Sequence, residues 1–380
     1  MMKKLKKPIF LILTCGLVCF ISFANKFVSE SSSKLSLGAH FKDLFYMGAA
    51  INENTILGLD PKSATIVNRE FNTITPENSL KWMFIQPKPN QFNFKAADKY
   101  VEMGLKNNMY IVGHALVWHA QLADFMQNLD NSAETRAHVD NHINTLVSRY
   151  KGKIDAWDVV NEAFEEDGSL RASVFYKNMG ENYIEEVFRK TEKVDPDVDL
   201  IYNDYNLYKP KKRAAVLEMV KKFKANGTKI NGVGVQAHWD LKSPSLEEIE
   251  QIILDVHAAG VYVSFTELDI SVLPNPWEMV GAEVTQNFSK FEGDPKMNPY
   301  SNGLPDDVQE KLAKRYHDIF NLFVKHSDKI NRVTFWGVMD KHSWLNDWPI
   351  KGRTNYPLLF DRDYQPKVAY ARLLGVNTKP

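Results

Sequence analysis

Cysteine is almost missing from this chain. Its 380 residues include only Cys15 and Cys19, both inside the first two dozen positions. A chain that loses those positions cannot form a disulfide, a thiolate metal site or a cysteine nucleophile. Charge of one sign is also lacking: 47 basic groups balance 47 acidic ones, so no nucleic-acid-binding stripe is expected. There is no H-E-x-x-H pair and no acidic calcium loop, which argues against two common metal chemistries. The Gly48-Ala49-Ala50 segment is not the glycine-rich turn a dinucleotide would need. What remains is ordinary globular composition, 44% hydrophobic, 25% charged and 12% aromatic, so disordered and fibrous classes are excluded.

The chain opens on Lys3, Lys4, Lys6 and Lys7, followed by an almost wholly apolar run from Pro8 to Ser22 and a small-x-small site at Ser22-Phe23-Ala24. The run is shorter than the roughly 20 residues of a membrane span, so residues 1–24 read as a signal peptide. Its removal leaves 43 basic against 47 acidic groups, a net charge of −4. Residues 25–37, with Ser29, Ser31, Ser32 and Ser33, read as a polar tether. The product is expected to be secreted, or held in the periplasm or cell envelope.

From residue 38 to 375 no linker or internal repeat divides the sequence. Strand-like runs occur at Phe45–Ala50, Phe71–Thr75, Tyr110–Trp118, Ile154–Asn161, Leu200–Asn203, Val233–Trp239, Val261–Ile270 and Val333–Met339. Helical segments separate them. Asp60-Pro61 marks one helix start, Ser245 with Glu248 forms a capping box, and Pro305-Asp306-Asp307 opens a third. Asn226-Gly227 and Ala259-Gly260 end helices just before strands. Eight near-continuously apolar strands alternating with helices describe a parallel sheet buried on both faces. They favour a single α/β domain closed into a (β/α)8 TIM barrel over an open sheet.

A barrel puts its active site at the carboxyl ends of the strands. Glu162 ends the fourth strand and Glu267 the seventh, on opposite sides of the mouth. Two facing carboxylates suit retaining glycoside hydrolysis, one donating a proton to the leaving oxygen and the other attacking the sugar carbon. Asn161 could bond a sugar 2-hydroxyl. Strand alternation puts it on the face opposite Glu162, so both serve only if the strand end is bulged. His238 and Asp269 are candidates to keep Glu267 ionised and aimed, a packing histidine being the alternative for His238. His114 and His119, five apart on a strand, cannot converge on one metal ion. Trp118, Trp336 and Trp344 near strand ends offer flat faces for pyranose rings.

Gly113-His-Ala-Leu-Val-Trp-His119, Trp157-Asp-Val-Val-Asn-Glu-Ala163, Asn203-Asp-Tyr-Asn206, Gly234-Val-Gln-Ala-His-Trp239, Phe265-Thr-Glu-Leu-Asp-Ile270 and Trp336-Gly-Val-Met-Asp-Lys-His-Ser-Trp344 together resemble glycoside hydrolase family 10. Its usual members are secreted endo-1,4-β-xylanases on a TIM barrel. The resemblance implies that Glu162 is the acid/base and Glu267 the nucleophile, with Gln236 and His238 orienting Glu267 and Asp269 behind His238. It implies that Asn161, His114 and Trp118 hold the sugar beside the scissile bond, and that Glu77, Asn78, Lys81 and Gln121 bind the next glycone unit. Trp336 and Trp344 would roof the glycone, and Tyr205 and Asn206 would face the leaving group. Ala115 and Ala120 depart from the family pattern, as does Ala123-Asp-Phe-Met126. The connection from Ser271 to Leu304, longer than the family minimum and containing Trp277 and Tyr300, reads as an extension of the cleft.

The expected activity is retaining endo-1,4-β-xylanase, acting on xylan and xylo-oligosaccharides with no cofactor and no metal. A monomer is expected, with no protein partner. The alternatives are another retaining β-1,4-glycanase, such as a cellulase, and a barrel that binds xylan without cleaving it.

Overall fold

The structure, a computed structural model, describes residues 35–276, 279 and 282–378. The expected signal peptide, most of the tether and Trp277 lie outside them. Leu37, expected at the end of the tether, instead starts a one-turn helix and is fully buried.

Nine strands follow: β1 Tyr46–Ile51, β2 Thr73–Pro76, β3 Tyr110–Trp118, β4 Ala156–Asn161, β5 Asp199–Asp204, β6 Gly232–Val235, β7 His238–Asp240, β8 Tyr262–Ser271 and β9 Ile330–Phe335. Each pairs in parallel with its neighbour, and contacts of β1 with β9 and of β6 with β8 close the ring. The short β7 pairs only with β8, so the barrel itself has eight strands. The intervening helices are α1 Pro61–Glu70, α2 Lys95–Lys106, α3 Ser132–Tyr150, α4 Tyr183–Val194, α5 Pro210–Ala225, α6 Leu246–Ala258, α7 Asp306–Lys325 and α8 Val368–Leu374. This is the expected (β/α)8 barrel.

Local chemistry sets the helix starts. Asp60 accepts from the Ser63 amide at 3.1 Å ahead of Pro61, and Ser245 and Glu248 complete a reciprocal capping box. A cap of this kind is worth about 1 kcal/mol. Gly227 and Gly260 take left-handed conformations after α5 and α6, as their placement predicts. Gly113 serves packing instead. A Cβ there would stand 2.1 Å from the Trp157 ring, so only glycine lets this buried indole lie across β3.

Most strands shift from their sequence reading by one or two residues at an end, and two differ by more. The sixth, read as Val233–Trp239, is broken at Gln236-Ala237, where Ala237 has φ +63°. The left-handed residue takes the chain from pairing with both neighbours in β6 to pairing with β8 alone. The eighth, read as Val333–Met339, spans Ile330–Phe335. Its start was hidden by Arg332, a charged residue that is nevertheless buried inside the barrel beside Asp158, at 3.4 Å. The strand ends at Phe335, and two residues on, Gly337, with φ +128°, turns the chain away.

Candidate active site

Glu162 and Glu267 line one cavity of about 170 Å³ at the carboxyl ends of the strands. The same cavity is lined by Glu77, Asn78, Lys81, His114, Trp118 and Gln121. Asn161, Gln236, His238, Trp336 and Trp344 complete the group. Asp269 stands one bond behind it, and of the sequence-derived candidates only Tyr205 and Asn206 are elsewhere. Asn206 lines an adjoining cavity of about 160 Å³, and Tyr205 is buried with its hydroxyl accepting from Arg171 Nη2 at 2.8 Å.

The conflict between Asn161 and Glu162 is resolved in the backbone. Pairing of β4 with β5 shifts register between Asp158 and Val160, and Glu162, just past the strand, has φ +58°. This left-handed turn brings consecutive side chains to one face, and such local strain is characteristic of functional sites. Asn161 Nδ2 then donates to Glu162 Oε1 at 3.1 Å.

Each carboxylate has a distinct set of donors. Glu162 accepts from Gln236 Nε2 at 2.7 Å on Oε1 and from the Trp118 indole at 2.7 Å on Oε2, so its hydrogen-bond donors are all neutral. Glu267 accepts from Asn203 Nδ2 at 2.7 Å on Oε1 and faces His238 Nε2 at 3.2 Å on Oε2. His238 Nδ1 lies 3.0 Å from Asp269 Oδ1, so the imidazolium form donates to a carboxylate at each nitrogen. Asp269 also accepts from the Trp344 indole at 2.8 Å. Two of the three rim tryptophans therefore anchor carboxylates by their N–H groups, a role beyond the stacking expected of them.

Burial works against charge on Glu267, but the His238 hydrogen bond and attraction from His114, His238 and Lys81 outweigh it and hold the carboxyl below its usual value. Burial likewise opposes charge on His238. Asp269 first, then Glu267, overcome it and push the histidine up to about 10. Lys81 moves the other way: desolvation lowers its pKa despite Glu267, Glu77 and Glu162 around it. Desolvation raises Glu77, with Lys81 countering. Lys81 Nζ donates to Asn78 at 3.1 Å and lies over the Trp118 and Trp336 rings at 4.9 and 5.7 Å.

The histidine yields a pH prediction. A raised pKa stabilises the fold fully below the unfolded value near 6.5, and that contribution is lost as pH climbs to about 10. Thermal melts of the wild type and His238→Gln should differ most near pH 6 and converge toward pH 10. At about 1.4 kcal/mol per pKa unit, the lost term amounts to a few kcal/mol. A gap independent of pH would show that His238 is a neutral packing residue.

Sequence reasoning missed several supports. Asn203 Nδ2 reaches Asn161 Oδ1 at 2.8 Å as well as Glu267, so one amide ties the two halves of the site together. Thr266 Oγ1 in turn donates to Asn203 Oδ1 at 2.6 Å. Asp158 holds His114 Nδ1 at 2.9 Å, and the fully buried Lys212 pairs with Asp204 at 2.7 Å beneath the Tyr205 ring. Asn203 sat in a motif at a strand end, which was the available signal. Lys212 gave none, being one of several lysines on α5.

Paired carboxylates in unlike surroundings at the mouth of a barrel, framed by indoles, are the equipment of a glycoside-cleaving enzyme. The chain belongs to glycosyl hydrolase family 10, whose profile matches residues 36–376. It is 42% identical to endo-1,4-beta-xylanase A of Xylanibacter ruminicola over 85% of this chain and 88% of that one. It is 33% identical to a thermostable celloxylanase of Thermoclostridium stercorarium, over 95% and 93%. Among solved structures, a GH10 endoxylanase from a sugarcane soil metagenome superposes with a TM-score of 0.86 at 48% identity, covering 90% of this chain and all of that one.

Proposed function

We propose that the chain hydrolyses internal β-1,4-xylosidic bonds of xylan and xylo-oligosaccharides with retention of configuration. The observation that carries this reading is the contrast between the two glutamates of one cavity. Glu267, facing His238 with Asp269 behind it and drawn by Lys81, is kept as the carboxylate that attacks the anomeric carbon. Glu162, bonded only to amides and an indole, carries the proton to the departing oxygen and later takes one from water. In this reading Asn161 and His114 border the reacting sugar, and Glu77, Asn78 and Lys81, which line the same cavity, offer hydroxyl partners on the glycone side.

The test is proton NMR of the first products from xylan, where the β-anomer is expected; early α-product would overturn retention. A second reading, β-1,4-glucan as a further substrate, is favoured by the relative named celloxylanase. Reducing-sugar release from carboxymethylcellulose should be far below that from xylan, since glucose carries a hydroxymethyl group that xylose lacks. Wild type without activity on either polymer would favour the binding-only barrel. We also propose that residues 1–24 direct export. N-terminal sequencing of the exported protein should begin at Asn25, and retention of the leader would refute cleavage.

A further inference from the structure

Glu283 reaches partners far from its own strand. It belongs to the connection after β8, yet its Oε2 accepts from Arg171 Nη1, lies 3.4 Å from the Tyr205 hydroxyl and approaches His119 Nε2 at 3.8 Å. These residues follow β4, β5 and β3. In the ring of strands, β3 stands four places from β8 in either direction. The segment around Glu283 therefore stands across the mouth from β8, after which its connection begins.

The turn around Glu283 is shaped by local bonds and tied to the barrel through Arg171. Glu283 Oε1 accepts from the Thr285 amide and hydroxyl at 3.1 and 2.9 Å, and its carbonyl accepts from Gln286 at 3.0 Å. Arg171, the shared partner, also donates to the Glu162 carbonyl at 3.0 Å and to Tyr205. Ala282 and Val284 line the central cavity beside the glutamates. Ala282 also borders the cavity of Asn206, and Glu283, Val284 and Thr285 border a third of about 640 Å³ beside His119 and Arg171. The segment thus borders three adjoining parts of the cleft, the central one about 170 Å³. The far end of the connection packs on the segment after β9: the Tyr300 carbonyl accepts from the Tyr356 hydroxyl, and Asn298 accepts from the Thr354 amide.

We propose that Ala282–Thr285 form a strap across the leaving-group half of the mouth, fixed by Glu283, which limits ordered contacts beyond the scissile bond to one or two sugar units. A longer chain leaves the cleft over the strap, so that internal bonds stay open to attack. The strap lands on Arg171, which also holds the Glu162 carbonyl and the Tyr205 hydroxyl, and we take this as the leaving-group side. Glu283 is a specificity determinant, and a short oligosaccharide is cut near its reducing end. The inference rests on the xylanase reading.

Xylohexaose labelled with 18O at its reducing end, with products read by mass spectrometry, tests it. Wild type should release mostly one- or two-unit reducing-end pieces. Glu283→Ala should raise the share of pieces of three units or more about fivefold, along with kcat/KM on xylohexaose relative to an aryl xylobioside. Glu283→Gln, which keeps an acceptor for Arg171, should stay near the wild-type pattern, and melting curves should show both variants folded. Active enzyme with the same pattern in wild type and Glu283→Ala, or with central cleavage in wild type, overturns the strap alone. Wild type that leaves xylohexaose intact overturns the function on which it rests.

Discussion

Glu267→Ala is expected to lower kcat on xylan by about 10⁴–10⁶-fold, the usual cost of deleting a nucleophile. The buried residue leaves behind Asn203 Nδ2 and His238 Nε2, both aimed at the space the carboxylate occupied. Those donors and that space define a second expectation. Azide is small enough to enter and would attack the anomeric carbon from the vacated face, while Glu162 still protonates the leaving oxygen. A single displacement inverts the centre, so an α-xylosyl azide is the expected product. Residual hydrolysis near the wild-type rate, or an azide adduct of β configuration, would remove Glu267 from the nucleophile's place.

Much of the barrel was legible because its causes are local. Asp60 before Pro61, Ser245 with Glu248, and glycines after α5 and α6 each carry a short-range physical reason, and each is found in place. β3 was read to its last residue because an unbroken apolar run maps directly onto a strand buried on both faces. The failures lie where a distant partner overrides local character. Arg332 breaks the apolar pattern of β9, yet Asp158, far away in sequence, makes it an interior residue. Ala237 gives no hint of a left-handed conformation, which arises from the demand that Gln236 meet Glu162 while His238 meets Glu267. The two glutamates stood out because a charged residue ending an apolar strand is conspicuous. Glu283 and Arg171 did not, because an acid or a base in a polar loop is unremarkable until the fold brings the two together.

Glu162→Gln separates the two halves of the reaction. The amide still offers an oxygen to Gln236 and Asn161 and loses only the bond from the Trp118 indole, but it can neither deliver nor accept the proton. On xylan, whose leaving alkoxide needs protonation, kcat should drop by about 10²–10⁴-fold, the range of general acid catalysis. On a dinitrophenyl xylobioside the leaving group departs without help, and Glu267 should still attack. The second half then stalls, because no base activates water, and a xylobiosyl group should accumulate as an ester on Glu267. Intact-mass spectrometry would show the added mass, and added azide should release a β-azide through the second inversion. Equal slowing on both substrates, with no adduct, would mean that Glu162 is not the proton donor. The neutral donor set around it would then be a structural arrangement with no part in the chemistry.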